Sequence, residues 1–551
     1  MNLPFTTPEK AAEYKAKEIW TNLTIYQMFA EAASRNPEKT AVIDGDIHYS
    51  YGEMSRLINN LAGNLHKIGI SSGDIVAVQI PNSAYMPIVN IALNRIGAIY
   101  LPIHDGWREA EMSHLLGKSG ARMIVVINNY RDFDYTAMLQ QMQPQLPDLE
   151  WVYSLDGTGN GSLAFEDLLL EHDISNADLD ALSPDPDLPA GIMPSSGTTS
   201  LPKMSVFSNN NLIFLLNRCF GNTIDLSEND VAAALAPAGT GSTGYILPVI
   251  APLLKGGTSV ILQHWGNPKD ALELIVKHRC TYATGIPTQM TMLLEFLDDY
   301  SAEDFASFTR FNNAGAPLPH ETGRLIEEKM NCKIHVVYGA TDGGVPTMTQ
   351  VNTDTQDQRL YSVGQVLPDC LVELWDANDE KVPSGGVGEI VWSTPGKSYG
   401  YFNDDAETEA AWSANGFFKS GDLGQIDENG YLSIVGRVKD MILRGGRNIS
   451  PRTVEELLIK HAAVKQVAVT AMPDPRLGER ACAFIELHDG HSLSFEQMVD
   501  YLNEQKIAKW EFPERLETVT EWPISGGGKI QKNKLTEMVT KKLKAEGVLP
   551  E

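Results

Sequence analysis

The sequence predicts an α/β protein: a large N-terminal domain of stacked α/β subdomains with a small β-rich subdomain, followed by a small α+β C-terminal domain. Three observations carry this reading. Helical and strand-like patterns alternate over residues 23–130 and resume after residue 230; short strands between glycine turns take over after about residue 360; and 551 residues exceed one core, since single cores rarely grow past roughly 250–300 residues. Helix and strand in turn imply βαβ units and a largely parallel sheet.

Taken in order, Ile25, Met28, Phe29, Ala32 and Ala33 recur at helical spacing, as do Leu57, Ile58, Leu61, Ala62 and Leu65. Compact apolar runs at Ile75–Ile80, Ala98–Ile103 and Met123–Ile127 read as strands. Asp156–Gly161 and the Asp/Pro-rich Ser183–Pro189 read as loops. Candidate strands resume at Val231–Leu235, Thr258–Gln263, Thr281–Ile286 and Ile334–Tyr338, with a helix expected over Asn211–Phe220. Val372–Trp375, Gly388–Trp392 and Tyr431–Val435 form the β-rich segment. Beyond Gly436 come helices around Val454–His461 and Phe495–Glu504 and strands at Val467–Ala471 and Ala481–Leu487, enough for a separate small domain. We place the boundary between residues 1–438 and 439–551.

The formal net charge is −27, from 44 basic and 71 acidic side chains, which disfavours nucleic-acid backbones and anionic membranes as partners. Five scattered cysteines, with no Cys-x-x-Cys pair, argue against a disulfide framework or a zinc site and read as reduced core thiols. Met1–Trp20 has no apolar signal region, and Tyr245–Leu254 carries two prolines and is too short to span a bilayer. A soluble, cytoplasmic protein is expected.

One stretch concentrates polar chemistry: Ser195-Ser196-Gly197-Thr198-Thr199-Ser200-Leu201-Pro202-Lys203. Hydroxyls, free backbone N–H groups and a lysine suit a phosphate chain, although such clusters are ordinarily solvated connections. The apolar Gly191-Ile192-Met193 before it puts the loop at the end of a strand. It is not a Walker A loop, and neither Gly117-Lys118-Ser119 nor Gly396-Lys397-Ser398 has the required preceding glycine.

The loop resembles the Ser/Thr-Gly-Thr-Thr-Gly-x-Pro-Lys signature of the acyl-adenylate-forming enzymes: acyl-CoA synthetases, aryl-acid ligases, peptide-synthetase adenylation domains and luciferases. Ser200 stands where the second glycine is usual, and Met204 where a glycine usually follows the lysine. Further landmarks follow in family order over roughly residues 20–540. Asn313-Ala314-Gly315-Ala316-Pro317-Leu318 is similar to the adenine-binding turn. Tyr338-Gly339-Ala340-Thr341-Asp342 resembles the Tyr-Gly-x-Thr-Glu motif, which implies that Tyr338 packs on adenine, Thr341 touches phosphate and Asp342 helps hold Mg2+. Asp342 is one methylene shorter than the usual glutamate, so ligation either directly or through water stays open. Phe417-Phe418-Lys419-Ser420-Gly421-Asp422 reads as a tight turn, and the resemblance implies that Asp422 accepts the ribose hydroxyls. Gly400-Tyr401-Phe402-Asn403 with Glu407-Thr408 is another landmark.

By the same resemblance Arg437 reaches the ribose, Lys439 marks a hinge, and Gly445 and Gly446 lie beside the pantetheine arm of the thiol. Lys529, after Gly526-Gly527-Gly528, occupies the place of the catalytic lysine on a mobile C-terminal domain. Three glycines are costly to order, which suits a loop that travels. Ser195, Ser196, Gly197 and Thr199 would bind nucleotide, and Thr198 and Lys203 would hold the departing phosphates.

Gly239-Thr240-Gly241-Ser242-Thr243-Gly244 fits a dinucleotide-binding fingerprint, which makes an oxidoreductase the rival. Against it, His264 and Trp265 stand where an acid is required. The resemblance makes Gly239, Thr240 and Gly241 part of the acyl pocket. Pro237-Ala238-Gly239-Thr240 lacks the histidine often found there, and neither an Asp nor a His-Asn pair is present, which disfavours α-amino acids and salicylate-type acids. Small residues there leave room for a bulky neutral chain or ring.

The implied reaction uses ATP, Mg2+ and a carboxylic acid to make an acyl-adenylate and pyrophosphate, and then transfers the acyl group to CoA. Two alternatives remain: loading of a carrier-protein phosphopantetheine, and a nucleotide-binding sensor without turnover.

Overall fold

The computed structural model describes residues 6–195, 201–221, 223–239, 241, 243–524 and 530–549. Two compact units are resolved. Unit one is residues 1–318, 322–371 and 392–418, and unit two is residues 319–321, 372–391 and 419–551. The boundary expected after residue 438 thus falls inside unit two, because the ribbons 372–391 and 419–437 gather with the C-terminal segment.

Unit one holds two large sheets and a short two-stranded ribbon. In the seven-stranded sheet the order is Met204–Ser208, Pro189–Pro194, Ile99–Pro102, Ile75–Gln79, Met123–Ile127, Trp151–Leu155 and Leu163–Ala164. Its central pairs are parallel, as the βαβ alternation predicts, and the central strands Ile75–Gln79 and Met123–Ile127 are fully buried, mainly apolar runs. The nine-stranded sheet carries Tyr282–Gly285, Arg310–Asn313 and Lys333–Ala340 side by side and parallel.

Local sequence fixes the helices between them. Ile25–Arg35 begins at Thr24 with a capping box to Gln27, and Tyr51–Lys67 begins at Ser50 with one to Glu53. Both lay an apolar stripe into the main core. The helix expected over Asn211–Phe220 starts at Asn209 and changes at Leu215 to π-helical geometry through Gly221; Ile246–Ile250 is π-helical as well. A widened turn of this kind often marks a functional site.

Unit two contains most of a four-stranded sheet of Leu371–Trp375, Gly388–Ser393, Phe418–Ile426 and Leu432–Arg437. It also has a five-stranded sheet built on the long antiparallel pair Val464–Asp474 and Gly478–Leu487. Helices Pro451–Leu458 and Phe495–Glu504 cover one face of it, and Lys532–Ala545 covers the other. Cys280, Cys332, Cys370 and Cys482 are buried; burial pushes the Cys280 and Cys482 thiols up to about 12. Among the described residues no helix is long and apolar enough to cross a membrane.

Candidate active site

The hydroxyl-rich loop is closed at its base. Ser195 donates its N–H to the Lys203 carbonyl at 2.8 Å, and the strands on either side pair antiparallel with Met193 opposite Ser205. The strand leading in is the expected one; the strand leading out was not foreseen, because Met204–Ser208 is short and interrupted by serines. Met204 is not a loop residue. It opens that strand opposite Pro194 with its side chain in the core. Ser196, Gly197, Thr198, Thr199 and Ser200 lie outside the described residues, as do Thr240 and Lys529.

Segment 399–402 runs beside this outgoing strand. Val206 N–H donates to the Gly400 carbonyl at 3.0 Å, and Phe402 N–H to the Met204 carbonyl at 2.8 Å, which sets Tyr401 beside Ser205. The two hydroxyls converge on one carboxylate: Ser205 Oγ donates to Asp342 Oδ1 at 2.7 Å and Tyr401 OH to Asp342 Oδ2 at 2.7 Å. Burial, and then the Asp342 charge, hold the Tyr401 phenol well above its ordinary pKa, so it stays a donor. Lys203 Nζ sits 4.8 Å from the Tyr401 ring centre and pairs with Glu407 at 2.5 Å. The structure therefore gathers Lys203, Asp342 and the Gly400–Thr408 landmark around one tyrosine. Sequence reasoning missed Ser205, whose only signal is a hydroxyl on an otherwise apolar strand.

From Tyr401 an aromatic train leads back to Tyr338. Tyr401 meets Trp412 at 5.4 Å, Trp412 meets Phe418 at 5.2 Å, Phe418 meets Trp392 at 4.9 Å, and Trp392 meets Tyr338 edge-on at 5.6 Å. The Trp392 indole N–H donates to the Gly343 carbonyl at 2.7 Å and fixes the turn that follows Thr341 and Asp342. The Ala314-Gly315-Ala316 turn leaves the strand next to that of Tyr338; Asn313 stands opposite Val336, and Asn313 Nδ2 donates to the Ala316 carbonyl at 3.2 Å. The two motifs thus share the carboxyl ends of neighbouring parallel strands, where open α/β sheets bind ligands. Gly339 is exposed at the end of its strand.

Unit two holds a second group. Asp422 does not lie in a turn, as its glycine neighbour suggested, but within the strand Phe418–Ile426, directly opposite Arg437. Arg437 Nε donates to Asp422 Oδ1 at 2.7 Å, with the arginine side chain 45% and the aspartate 19% exposed. Gly445 and Gly446 form the two-residue turn of the hairpin Ile442–Arg444/Arg447–Ile449, at φ 55° and 84°. Two consecutive left-handed residues are what such a turn requires, so these glycines also have a purely conformational reason to be there. Lys439 lies in the short helical turn Val438–Asp440.

The room expected beside Gly239 and Gly241 is filled. A Cβ on Gly239 would come within 2.8 Å of the His104 backbone, and one on Gly241 within 2.3 Å of Met193 Sδ. A small cavity of about 10 Å³ lies one step away, lined by Asn82, Ser83, Ala234, Ala238, Tyr245 and Ile261 among others. For a metal, the described residues contain no cluster of three or more His, Cys, Asp or Glu. Mg2+ usually takes one or two carboxylates and completes its shell with phosphate and water. Asp342 fits such a role, since each of its oxygens accepts one hydroxyl and keeps a lone pair.

Residues 29–402 match the family of AMP-binding enzymes, and residues 453–529 match the AMP-binding enzyme C-terminal domain. A medium-chain fatty-acid–CoA ligase of Escherichia coli is 30% identical over 98% of this chain and 95% of its own. A 2,3-dihydroxybenzoate–AMP ligase of Bacillus subtilis is 28% identical over 98% of each chain. The ATP-bound crystal structure of MatB from Rhodopseudomonas palustris superposes with a TM-score of 0.84 at 25% identity, covering 94% of this chain and all of that one. The chain belongs to the AMP-binding enzymes, the adenylate-forming acyl-CoA ligase family.

Proposed function

We propose that the chain activates a carboxylic acid with ATP and passes the acyl group to CoA. The observation that carries the site assignment is the convergence of the Lys203 hairpin, Tyr401 and the Tyr338–Asp342 strand end on one carboxylate. A carboxylate oxygen attacks the α-phosphorus of ATP, the bond to the β-phosphate oxygen breaks, and pyrophosphate leaves. The thiol sulfur of CoA then attacks the acyl carbon, and AMP departs with the oxygen it gained.

Negative charge shifts in both steps, so positioned donors and cations dominate the catalysis. Thr198, Thr199 and Lys203 hold the departing phosphates, with Ser195, Ser196 and Gly197 supplying loop N–H groups. Asp342 would help hold Mg2+, directly or through water, and the bound ion would supply positive charge to the phosphates. Ser205 and Tyr401 keep that carboxylate aimed. Tyr338 and the Ala314–Ala316 turn take the adenine, Thr341 a phosphate, and Asp422 and Arg437 the ribose. Lys529 serves the first step from a C-terminal domain that changes orientation at Lys439, after which the Gly445-Gly446 turn meets the pantetheine arm. Relatives that are named as CoA ligases favour CoA over a carrier protein as the acceptor.

A hydroxamate assay with ATP, Mg2+ and a panel of acids tests this reading, because hydroxylamine traps any activated acyl group. Acid-dependent hydroxamate with AMP formation is expected. ADP formation, or none with any acid, would contradict the proposal.

A further inference from the structure

The cavity beside Ala238 lies on a row of side chains that crosses the larger sheet of unit one. Strand register aligns Ile261, Ala234, Thr284, Asn312 and His335 on adjacent parallel strands, all facing the same way. The π-helical segment Ile246–Ile250 covers this face: Ser259 Oγ donates to the Pro248 carbonyl, and Tyr282 OH to the Leu247 carbonyl. At one end the row is apolar, and Ile261 and Ala234 touch the cavity. At the other end it is polar and unfinished.

Thr284, Asn312 and His335 have no exposed surface. Asn312 Nδ2 donates to Thr284 Oγ1 at 3.3 Å, and among the described residues neither Asn312 Oδ1 nor His335 Nε2 has a hydrogen-bond partner. His335 Nδ1 lies 2.7 Å from the Thr349 carbonyl, an acceptor only, so Nδ1 carries the hydrogen and Nε2 is left as an acceptor. Burial holds the imidazole down to about 3, so it is neutral at any working pH. Two buried acceptors on neighbouring strands, without a donor, are a costly arrangement in an otherwise packed interior.

We infer that this row is the floor of the acyl pocket, and that it selects a carboxylic acid with an apolar body and a neutral hydrogen-bond donor, a hydroxyl or aromatic amine. The apolar body lies on Ile261 and Ala234, and the donor reaches Asn312 Oδ1 and His335 Nε2. A charged ammonium is disfavoured, because the row contains no carboxylate to compensate it. This inference rests on the acid-activating reading above and adds the class of acid.

The test uses matched acids on the full-length protein with ATP and Mg2+: linear alkanoates with and without a terminal hydroxyl, and benzoates with and without a hydroxyl, amino or methoxy group. For at least one skeleton, kcat/KM for the hydroxyl or amino acid should exceed that of its parent by about tenfold or more. The methoxy analogue, of similar size but without the donor, should fall to the parent's level or below. Asn312→Leu should bring the preference within about threefold while the parent acid is still activated. Thr284→Val, which releases the Asn312 amide, should reduce it part of the way. The inference is overturned alone if acids are activated but parents match or beat their hydroxylated partners throughout, or if N312L leaves the ratio unchanged because a trapped water serves both acceptors. Hydroxamate from no acid at all would overturn the activity and the inference together.

Discussion

The two groups of candidate residues differ in how they are held. In unit one Asp342 is fixed from both sides by neutral hydroxyls on other strands, one of them on a tyrosine packed in an aromatic train. In unit two Asp422 and Arg437 face each other across one antiparallel pair, and the arginine is nearly half exposed. The first arrangement is prebuilt and costs little to use. The second is a solvent-screened ion pair, worth little to stability, which suits the ribose-binding role proposed for it. Charge development at phosphorus needs the former, while ground-state binding of a sugar tolerates the latter.

Substitutions can break this contrast. The largest effect belongs to Lys529: K529A should lower acid-dependent ATP–pyrophosphate exchange about a thousandfold while supplied acyl-adenylate and CoA still form thioester at a near-normal rate. Equal loss of both half-reactions would refute the assignment of Lys529 to the first step alone. Next, D342A should cost roughly a hundredfold in exchange with a raised Mg2+ requirement, and Y401F, which removes one of the two aiming hydroxyls, about tenfold in kcat at little change in the KM for ATP. A Y401F enzyme with a normal kcat would make the tyrosine a packing residue only. For the second group, D422N should raise the KM for ATP by about tenfold and leave kcat close to normal. A fall in kcat alone would erase the contrast.

The smallest effect is on stability. Burial lowers the Lys397 amine of unit one to about 8, and it donates to the Gly416 carbonyl at 2.6 Å. The unfolded chain binds this proton more readily than the folded one, so between about pH 10 and 8 stability falls as pH falls, and below that the penalty is constant. Lys397→Met should therefore unfold at higher temperature than wild type at pH 7, with a gain that shrinks as pH rises from 8 to above 10. A gain independent of pH over that range would mean that the amine titrates normally.

Much of the fold was legible because it rests on local pattern. The Val/Ile runs 75–79 and 123–127, the capped helices 25–35 and 51–67, and the C-terminal helix 495–504 all follow from short-range periodicity and caps. The strand Met204–Ser208 was hidden because its pairing partners, residues 189–194 and 399–402, are supplied by tertiary structure. Asp422 was misplaced for the opposite reason: a Gly-Asp pair signals a turn locally, but the facing strand 432–437 draws it into a ladder. The site divides in the same way. Motif order brought out Lys203, Tyr338 and Asp342, whereas Ser205 lies 137 residues from its carboxylate and Asn312 meets His335 only across strands.

The central claim is that a carboxylate oxygen becomes bonded to the α-phosphorus of ATP before the thiol arrives. A complete reaction with an acid labelled with 18O in its carboxylate, and mass spectrometry of the products, tests it most directly. The account predicts one labelled oxygen in AMP, none in pyrophosphate, and an acyl-CoA formed in equal amount to AMP. Label in inorganic phosphate alongside ADP, or unlabelled AMP, would contradict it.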